Sequence, residues 1–533
     1  MKSSCIDYKD TGYFSPAVIQ YLQQSPQLFP FIAYQPTFEG LKQAIENRVF
    51  KGDRKVLVEV LQDQYKELDK TSKLSEAVNQ NLSLLLKDST YTITTGHQLN
   101  IFTGPLYFIF KIVTAINLAK ELKEKFPDKD FVPVYWMATE DHDFAEINHT
   151  SVQGQKLSWD AEVSGATGRL STETISATVK AYQQLLGISE NATRLSKLAE
   201  EAYLQHKNLA DATRYFVNTL FSEFGLIILD ADNKQLKQLF APFIEKDITE
   251  NNSYRLISDT SNELENAGFK TQVNAREINF FYLLDNFRER IVREGEKYYV
   301  LNSEIEFSKE ELSKEIRQHP ERFSPNVIMR PLYQELILPN LAYVGGGAEI
   351  VYWLQLKKNF DFYGIDFPVL VLRNSALIAT DKLQDKLNRL DLTLADIFKD
   401  PESVKKEWVL KNSTQTLTLD EEWQELKDVL EKAKLKATKI DSTLGPSTEA
   451  VAVRLHKAIS NLEKKLIKAE KRNYDGSLSL IDNLRKKYFA GNSLQERTEN
   501  FSSFYVKYGD TLIDELAQYF KPLDFKFTIL EPK

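Results

Sequence analysis

Thr94-Thr95-Gly96-His97-Gln98-Leu99-Asn100-Ile101-Phe102-Thr103-Gly104-Pro105 and, one helix further on, Val132-Pro133-Val134-Tyr135-Trp136-Met137-Ala138-Thr139-Glu140-Asp141-His142-Asp143 decide the fold of this chain. The first stretch closes a strand over 91–95 and opens a helix over 105–125. The second is a strand over 131–138 that ends in a burst of acid and imidazole. Pro105 suits the first helical position, with Thr103 or Gly104 near the cap. The helix is apolar nearly all round (Leu106, Phe108, Ile109, Phe110, Ile112, Val113), as a helix packed within an α/β core should be. A strand–helix–strand crossover is right-handed and makes its strands parallel, so both polar loops emerge at one carboxyl edge. Open α/β sheets bind ligands at that edge.

The pattern recurs. Gly225–Asp230 is an apolar strand preceded by a helix around 208–223. Leu341–Val344 runs into Gly345-Gly346-Gly347, a helix to about Asn359, and a strand over Phe367–Arg373. Recurrence of this unit argues for a doubly wound, Rossmann-like parallel sheet. Two stretches interrupt it. Residues 150–205 are polar and turn-rich at their start. Residues 255–325 hold short alternating segments about a Glu294-Gly295-Glu296 turn, which read as antiparallel, and then a capping box from Ser308 to Glu311. Both read as insertions between core strands, forming a smaller subdomain over the crevice. Residues 1–90 read as mostly helical.

From about 375 the chemistry changes to dense Lys and Glu with a helical period. Trp423, Leu426, Leu430, Ala433, Ala437 and Ile440 alternate spacings of three and four, as do Ala452, Leu455, Ile459, Leu462, Leu466 and Ala469. With Gly445-Pro446 between them they predict an antiparallel helical hairpin with coiled-coil seams. Such short seams are marginal alone, so the hairpin should pack on the core or on a second subunit. The expected domains are therefore a core over 1–374 and a helical coiled-coil domain over 375–533.

Composition bounds the function. At 533 residues, 42% hydrophobic and 11% aromatic, the chain can bury large cores in two or three folding units. A net charge of −8 without a basic block counts against a nucleic-acid protein. The single Cys5, near an N-terminus expected to be loose, allows no internal disulfide and fits a reducing compartment. No apolar signal core and no long apolar run occur, so the chain reads as soluble and cytoplasmic.

The chemistry concentrates in a few places. Glu140, Asp141, His142, Asp143 and Glu146 follow a buried strand. They read as a polar site with His142 as general base or metal ligand, or as acids and a cap serving the next helix. A dedicated metal site is not expected, because one His among acids lacks a zinc pattern. Gly96, Gln98, Asn100, Thr103 and Gly104 form the companion loop, whose glycines allow close backbone approach to a ligand and whose helix start accepts an anion. The alternative is a tight strand-to-helix turn. No strict phosphate fingerprint occurs. Gly345, Gly346, Gly347 and Glu349 open another helix, as an anion nest or as a loop needing positive φ. Arg330, upstream of Gln334 in an apolar stretch, needs either an internal carboxylate or a substrate anion. His149, His206, His319 and His456 read as structural or exposed.

Taken in order, Thr-Gly-His-Gln…Phe-Thr-Gly-Pro-Leu-Tyr (95–107), Pro-Val-Tyr-Trp-Met-Ala-Thr-Glu-Asp-His-Asp…Glu-Ile (133–147), His-Pro-Glu-Arg-Phe-Ser-Pro-Asn-Val…Arg-Pro-Leu-Tyr-Gln (319–334) and Gly-Gly-Gly-Ala-Glu-Ile…Tyr-Trp (345–353) resemble the cysteine-adding enzymes of bacillithiol biosynthesis, the BshC-type cysteine ligases. The resemblance implies a Rossmann-like core with two connecting-peptide insertions and a C-terminal coiled-coil domain through which the family forms homodimers. It implies addition of cysteine to glucosaminyl-malate in the last step of bacillithiol synthesis. That family often carries Gln where this chain has His97, which shifts the loop's role to Gln98 and the backbone.

A carboxylate does not form an amide unaided in water. ATP is the expected activating cosubstrate, with Mg2+ arriving alongside the nucleotide. Such a site needs anion-holding groups and a base for the attacking amine. The glycine loops and Arg330 suit the first need, and His142 or a neighbouring acid the second. A nucleotidyltransferase or metal-assisted hydrolase using the same crevice, and a non-catalytic coiled-coil scaffold, stay open as alternatives.

Overall fold

The computed structural model describes residues 1–69, 74–380 and 382–533. Five strands make the central sheet: β1 (Thr90–His97), β2 (Asp130–Met137), β3 (Ile227–Asp230), β4 (Asn340–Gly345) and β5 (Val369–Leu372). Their order is β5-β4-β1-β2-β3 and every pairing is parallel, with Thr94 opposite both Tyr343 and Val134. Parallel strands covered on both faces must be apolar throughout. β2 obeys, with Phe131 through Met137 all buried.

Helix α1 (Tyr107–Lys125) makes the β1–β2 crossover, and thirteen of its side chains are buried. It begins two residues later than expected, because Phe102, Thr103 and Gly104 all take positive φ and form a separate turn. Helix α2 (Leu209–Phe221) precedes β3, and α3 (Lys234–Glu250) follows it. Helix α4 (Met329–Ile337) leads into β4, and α5 (Gly347–Leu354) leaves it. The chain passes from β1 outward to β2 in one direction and returns to place β4 on the other side of β1. The topological switch point therefore lies between β1 and β4.

The two stretches between core strands carry structure of their own, and 255–266, read as the start of the alternating stretch, belongs to the helix Asn252–Asn266. The first holds a hairpin, His149–Val152 with Gln155–Ser158, then helices Ser176–Leu186 and Glu190–Gln205. The second builds a five-stranded antiparallel sheet in which Phe280–Leu284, Phe287–Glu294 and Lys297–Val300 are consecutive neighbours. Ser308 and Glu311 complete their capping box at the start of the helix Lys309–Gln318.

The N-terminus departs from expectation. Lys2–Asp7 is a strand, not a loose end, and pairs antiparallel with Lys526–Glu531, which also pairs parallel with Ala376–Ile378. By packing, one unit comprises Met1–Lys9, Tyr13–Asp381 and Ser493–Lys533; the other is Asp10–Gly12 with Lys382–Asn492. A cut at 374/375 divides the sequence, but the last segment folds back with the first. Asn117 of α1 donates to the carbonyls of Ala517 and Phe520 at 2.8 Å.

The second unit is helical. Helices α6 (Asp420–Ile440) and α7 (Leu444–Glu470) form the antiparallel hairpin. The Trp423 ring packs at a tilt against His456 with ring centroids 4.5 Å apart, and Lys434 pairs with Glu449. Nevertheless α6 buries no side chain, and seam residues Leu462 and Ile440 remain 50% and 83% exposed. Among the described residues no helix is long and apolar enough to cross a membrane.

Candidate active site

A cavity of about 650 Å³ opens at the carboxyl ends of β1, β2 and β4, where the switch point predicts it. Gly96, His97 and Gln98 leave β1 into it, Trp136 to His142 leave β2, and Tyr343 with Gly346 to Glu349 leave β4. Lys111 and Tyr107 reach it from α1, Arg330 from α4, Phe281 and Arg288 from the second insertion, and Asn326 from the turn before α4.

Lys111 joins the two sides of the switch point. Its Nζ donates to the carbonyl of Gly96 at 2.8 Å and pairs with Glu349 Oε2 at 2.5 Å. Glu349 also accepts from the Tyr343 hydroxyl and from the Gly346 amide, each at 2.7 Å. Burial pushes the Glu349 carboxyl up, but Lys111 and these donors outweigh it and hold the group below its ordinary range. The amide of Gly346, the N-cap of α5, is thus taken by the helix's own glutamate in a capping arrangement, which differs from an open anion nest. Nor do Gly345, Gly346 or Gly347 adopt positive φ. Their need is space: a Cβ on Gly346 would stand 3.2 Å from Glu349 Oε2.

The acidic end is fully organised. Gln98 Nε2 donates to Asp141 Oδ2 at 2.6 Å and to Glu146 Oε2 at 2.7 Å. Asp141 Oδ1 accepts the amide of His142 at 2.7 Å. Burial opposes ionisation of Asp141, yet donors from His142 and Gln98 and the Arg288 charge hold its carboxyl below the usual range. Glu140 Oε1 pairs at 2.5 Å with Lys237 of α3, a lysine with no solvent exposure that also donates to the Phe323 carbonyl. Burial pushes Glu140 up despite that partner.

His142 meets an arginine from the insertion. Arg288 Nη1 lies 2.7 Å from His142 Nδ1, with its Nε on Ser324 Oγ at 3.0 Å and its guanidinium 3.9 Å over the Phe281 ring. A guanidinium only donates, so Nδ1 must accept and the neutral imidazole carries its proton on Nε2. His142 therefore presents an N–H donor in this arrangement, whereas the sequence suggested a base.

Cations outnumber their internal partners here. Arg373 is buried and bound to Glu496 at 2.6 Å. Among the described residues no ion pair includes Arg276, Arg330 or Arg497, all of which line the cavity. The direct partners of Arg330 are neutral (Gln334 Oε1 at 2.9 Å, the Tyr352 side chain, and the rings of Trp136 and Tyr343 at 5.8 and 6.0 Å), while the charge of Glu349 acts on it without forming an ion pair. Of the two partners the sequence allowed Arg330, an internal carboxylate is not the one found.

Several expected residues stand elsewhere. Asn100, Thr103 and Gly104 do not line the cavity. Asn100 donates to the Glu146 carbonyl, while Asn500 donates to the carbonyls of Phe102 and Gly104 at 2.8 and 2.6 Å. This loop is a joint to the returning C-terminal segment. Position 104 requires glycine, because its φ is +64° and a Cβ there would fall 2.5 Å from the Cβ of Asn100. Asp143 caps the short helix Phe144–Ile147 through the Glu146 amide, the helix-entry role. Gln334 is buried behind Arg330, and Gly345 ends β4 without reaching the cavity. His97 does line it, wedged against Tyr107 and Phe108; burial and the charges of Lys111 and Arg373 keep its imidazole neutral.

Lys111, Arg288, Arg373, Arg497 and Tyr107 were not singled out by sequence. Lys111 carried a usable signal, a lone cation inside the apolar run of α1. Arg288 carried none, for nothing in an alternating surface strand marks which residue will face a distant loop.

Sheet order, crevice position and unpaired cations define a Rossmann-like α/β protein with an arginine-lined crevice and a helical hairpin near its C-terminus. The family model for the bacillithiol biosynthesis BshC N-terminal Rossmann-like domain matches residues 1–374, and that for the BshC C-terminal coiled-coil domain matches 376–532. A Flavobacterium johnsoniae protein named "Putative cysteine ligase BshC" is 45% identical over 533 residues, covering 99% of this chain and 100% of its own. Relatives of the same name from Flavobacterium psychrophilum (43%, all of both chains) and Christiangramia forsetii (41%, 99% of each) are similar along their whole length. The chain belongs to the bacillithiol biosynthesis BshC family, whose members are named as ligases.

Proposed function

We propose that this protein is an ATP-dependent cysteine ligase that joins cysteine to glucosaminyl-malate by an amide bond, working as a cytoplasmic homodimer. The observation that carries the reading is Arg330: a cation at the switch point with no carboxylate partner, in a cavity where Arg276 and Arg497 are likewise unpaired. A surplus of guanidinium forks suits ligands bearing carboxylates or phosphates, and all three substrates bear them.

In this reading the cysteine carboxylate is first phosphorylated or adenylated by ATP, releasing ADP or pyrophosphate. The sugar amine then attacks the activated carbonyl; the C–N bond forms, phosphate or AMP departs, and the nitrogen loses a proton. Arg330 holds negative charge at the switch point, which the Lys111–Glu349 pair braces. Glu140, raised by burial, suits the proton acceptor better than Asp141, which is held low. His142 Nε2–H donates to an oxygen of the reacting groups, fixed in that tautomer by Arg288. Magnesium, where it takes part, enters as the nucleotide's counter-ion.

The test is direct. Purified protein with ATP, Mg2+, cysteine and glucosaminyl-malate is expected to yield bacillithiol, identified by mass, with one nucleotide consumed per amide. Folded protein that forms no product sinks the ligase reading, and pyrophosphate release without amide points to nucleotidyl transfer.

A further inference from the structure

The strand Phe287–Glu294 carries Arg288 and Arg290 two positions apart, hence on one face and roughly 6.6 Å from one another along the strand. On the neighbouring strand Leu283 lies opposite Arg288 and Phe281 opposite Arg290, so all four share that face. Arg288 and Phe281 line the cavity, and the same face continues outward from its wall to Arg290. The Nε of Arg290 is buried and has no hydrogen-bond partner.

Arg276 lines the same rim and is held there by its backbone. Its amide donates to Asn279 Oδ1 at 3.1 Å and its carbonyl accepts from Asn279 Nδ2 at 2.7 Å. Upstream of Arg276, the amides of Gln272 and Val273 donate to fully buried Gln355, which donates in turn to the Val273 carbonyl. The segment bearing Arg276 is therefore anchored at both ends, and the arginine is presented from a fixed frame.

Neither Arg276 nor Arg290 has a carboxylate partner among the described residues. Glu277, adjacent in sequence, is engaged by Asn251 Nδ2 at 3.0 Å, and Glu289 alternates to the opposite face of the sheet. Burial and then the charge of Arg276 depress the guanidinium of Arg290, so the two cations act on each other with no anion between them. Like charges held together by anchored backbone cost free energy unless a ligand supplies the counter-charge.

We propose that Arg276 and Arg290, extending outward from Arg288, form a second anion subsite on the cavity rim, built for an oligophosphate chain. A single carboxylate satisfies one guanidinium fork; two guanidiniums spaced along a strand, with a third presented from the anchored segment before Phe280, match several anionic oxygens in a row. That the chain comes from a nucleotide rests on the ligase reading above; the subsite itself does not.

Titration calorimetry on the full-length protein distinguishes the sources, with tripolyphosphate and L-malate as separate probes. Arg276→Gln and Arg290→Gln are each expected to weaken tripolyphosphate binding roughly tenfold, and the pair more, with L-malate affinity unchanged. Unchanged tripolyphosphate affinity in the double variant, or no binding by the parent protein, overturns the proposal. Loss of L-malate binding with tripolyphosphate retained overturns it too, assigning the rim to a carboxylate. If Arg290→Gln does not fold, Arg290→Lys keeps the charge and loses the fork; a wild-type tripolyphosphate affinity there and in Arg276→Gln likewise overturns it. Failure of amide synthesis with these binding shifts intact would sink the ligase reading and leave the subsite standing.

Discussion

Arg288, carried by the second insertion, donates across 2.7 Å to Nδ1 of His142 at the end of core strand β2. One bond thus fixes the tautomer of the His142 imidazole from an element outside the central sheet. His142→Ala should lower kcat about a hundredfold to ten-thousandfold, the usual range for loss of a positioned proton donor. The melting temperature should move little, since the His142 side chain is 46% exposed. Arg288→Gln should reproduce much of the kinetic loss through His142. Steady-state kinetics beside thermal melts check both; a large stability loss in His142→Ala would make the imidazole structural.

Asp141 couples this end of the site to stability. Burial pushes its carboxyl up, but donors from His142 and Gln98 bring it below the ordinary 3.8. The folded chain therefore binds that proton less readily than the unfolded chain, so the contribution is present above the ordinary value and fades as pH falls below it. Asp141→Asn should be less stable than the parent near neutrality, with the gap closing below about pH 4. Denaturant midpoints across that range decide it, and a gap of constant size removes the ionised carboxylate from the explanation.

Glu140 should show the opposite displacement in kinetics. Burial raises its carboxyl above 4.5 while the charge of Lys237 opposes. As the proton acceptor it must be ionised, so the acid limb of kcat/KM should lie above the normal carboxylate range. Glu140→Gln should abolish that limb together with most activity, and leaves Lys237 buried without a counter-charge, beside the Phe323 carbonyl and the Tyr333 ring, at a cost of about 3–5 kcal/mol. A pH–rate profile with its acid limb unmoved in Glu140→Gln would reassign the base.

Arg330→Lys separates charge from shape. Lysine keeps the charge at the switch point but loses the planar fork that lies 5.8 Å from the Trp136 ring and 6.0 Å from that of Tyr343. KM for an anionic substrate should rise about tenfold or more, with kcat changed less. Unaltered KM values for all three substrates would show that this arginine braces α4 through Gln334 instead.

How legible this was differs by element. The crossover of β1, α1 and β2 was readable because its signal is local: an apolar helix bounded by polar loops fixes parallel strands and one ligand edge. The same locality misled at Asn100, Thr103 and Gly104, whose partner Asn500 is some four hundred residues away. It also hid the strand Lys2–Asp7, a polar stretch that becomes regular only by pairing with Lys526–Glu531. Within the site the acids were found as a cluster, but their division of labour depends on Lys237 and Arg288, which arrive from α3 and the insertion sheet. Sequence periodicity tells which face a residue takes, and says nothing of which distant loop will lie against that face.

The hairpin of α6 and α7 has a different consequence. Its heptad spacing is intact, yet Leu426, Leu455 and Leu462 keep 38%, 38% and 50% of their surface exposed. Two helices alone cannot cover both sides of a seam, and three heptads are marginal without further burial. A second copy would cover the remaining apolar stripe and contribute about 25 cal/mol for each Å² removed from water. Leu430→Asp with Leu462→Asp should therefore convert a dimer to monomers in sedimentation velocity, with helical content retained in circular dichroism. A dimer that persists in this double variant would locate the contact away from the hairpin.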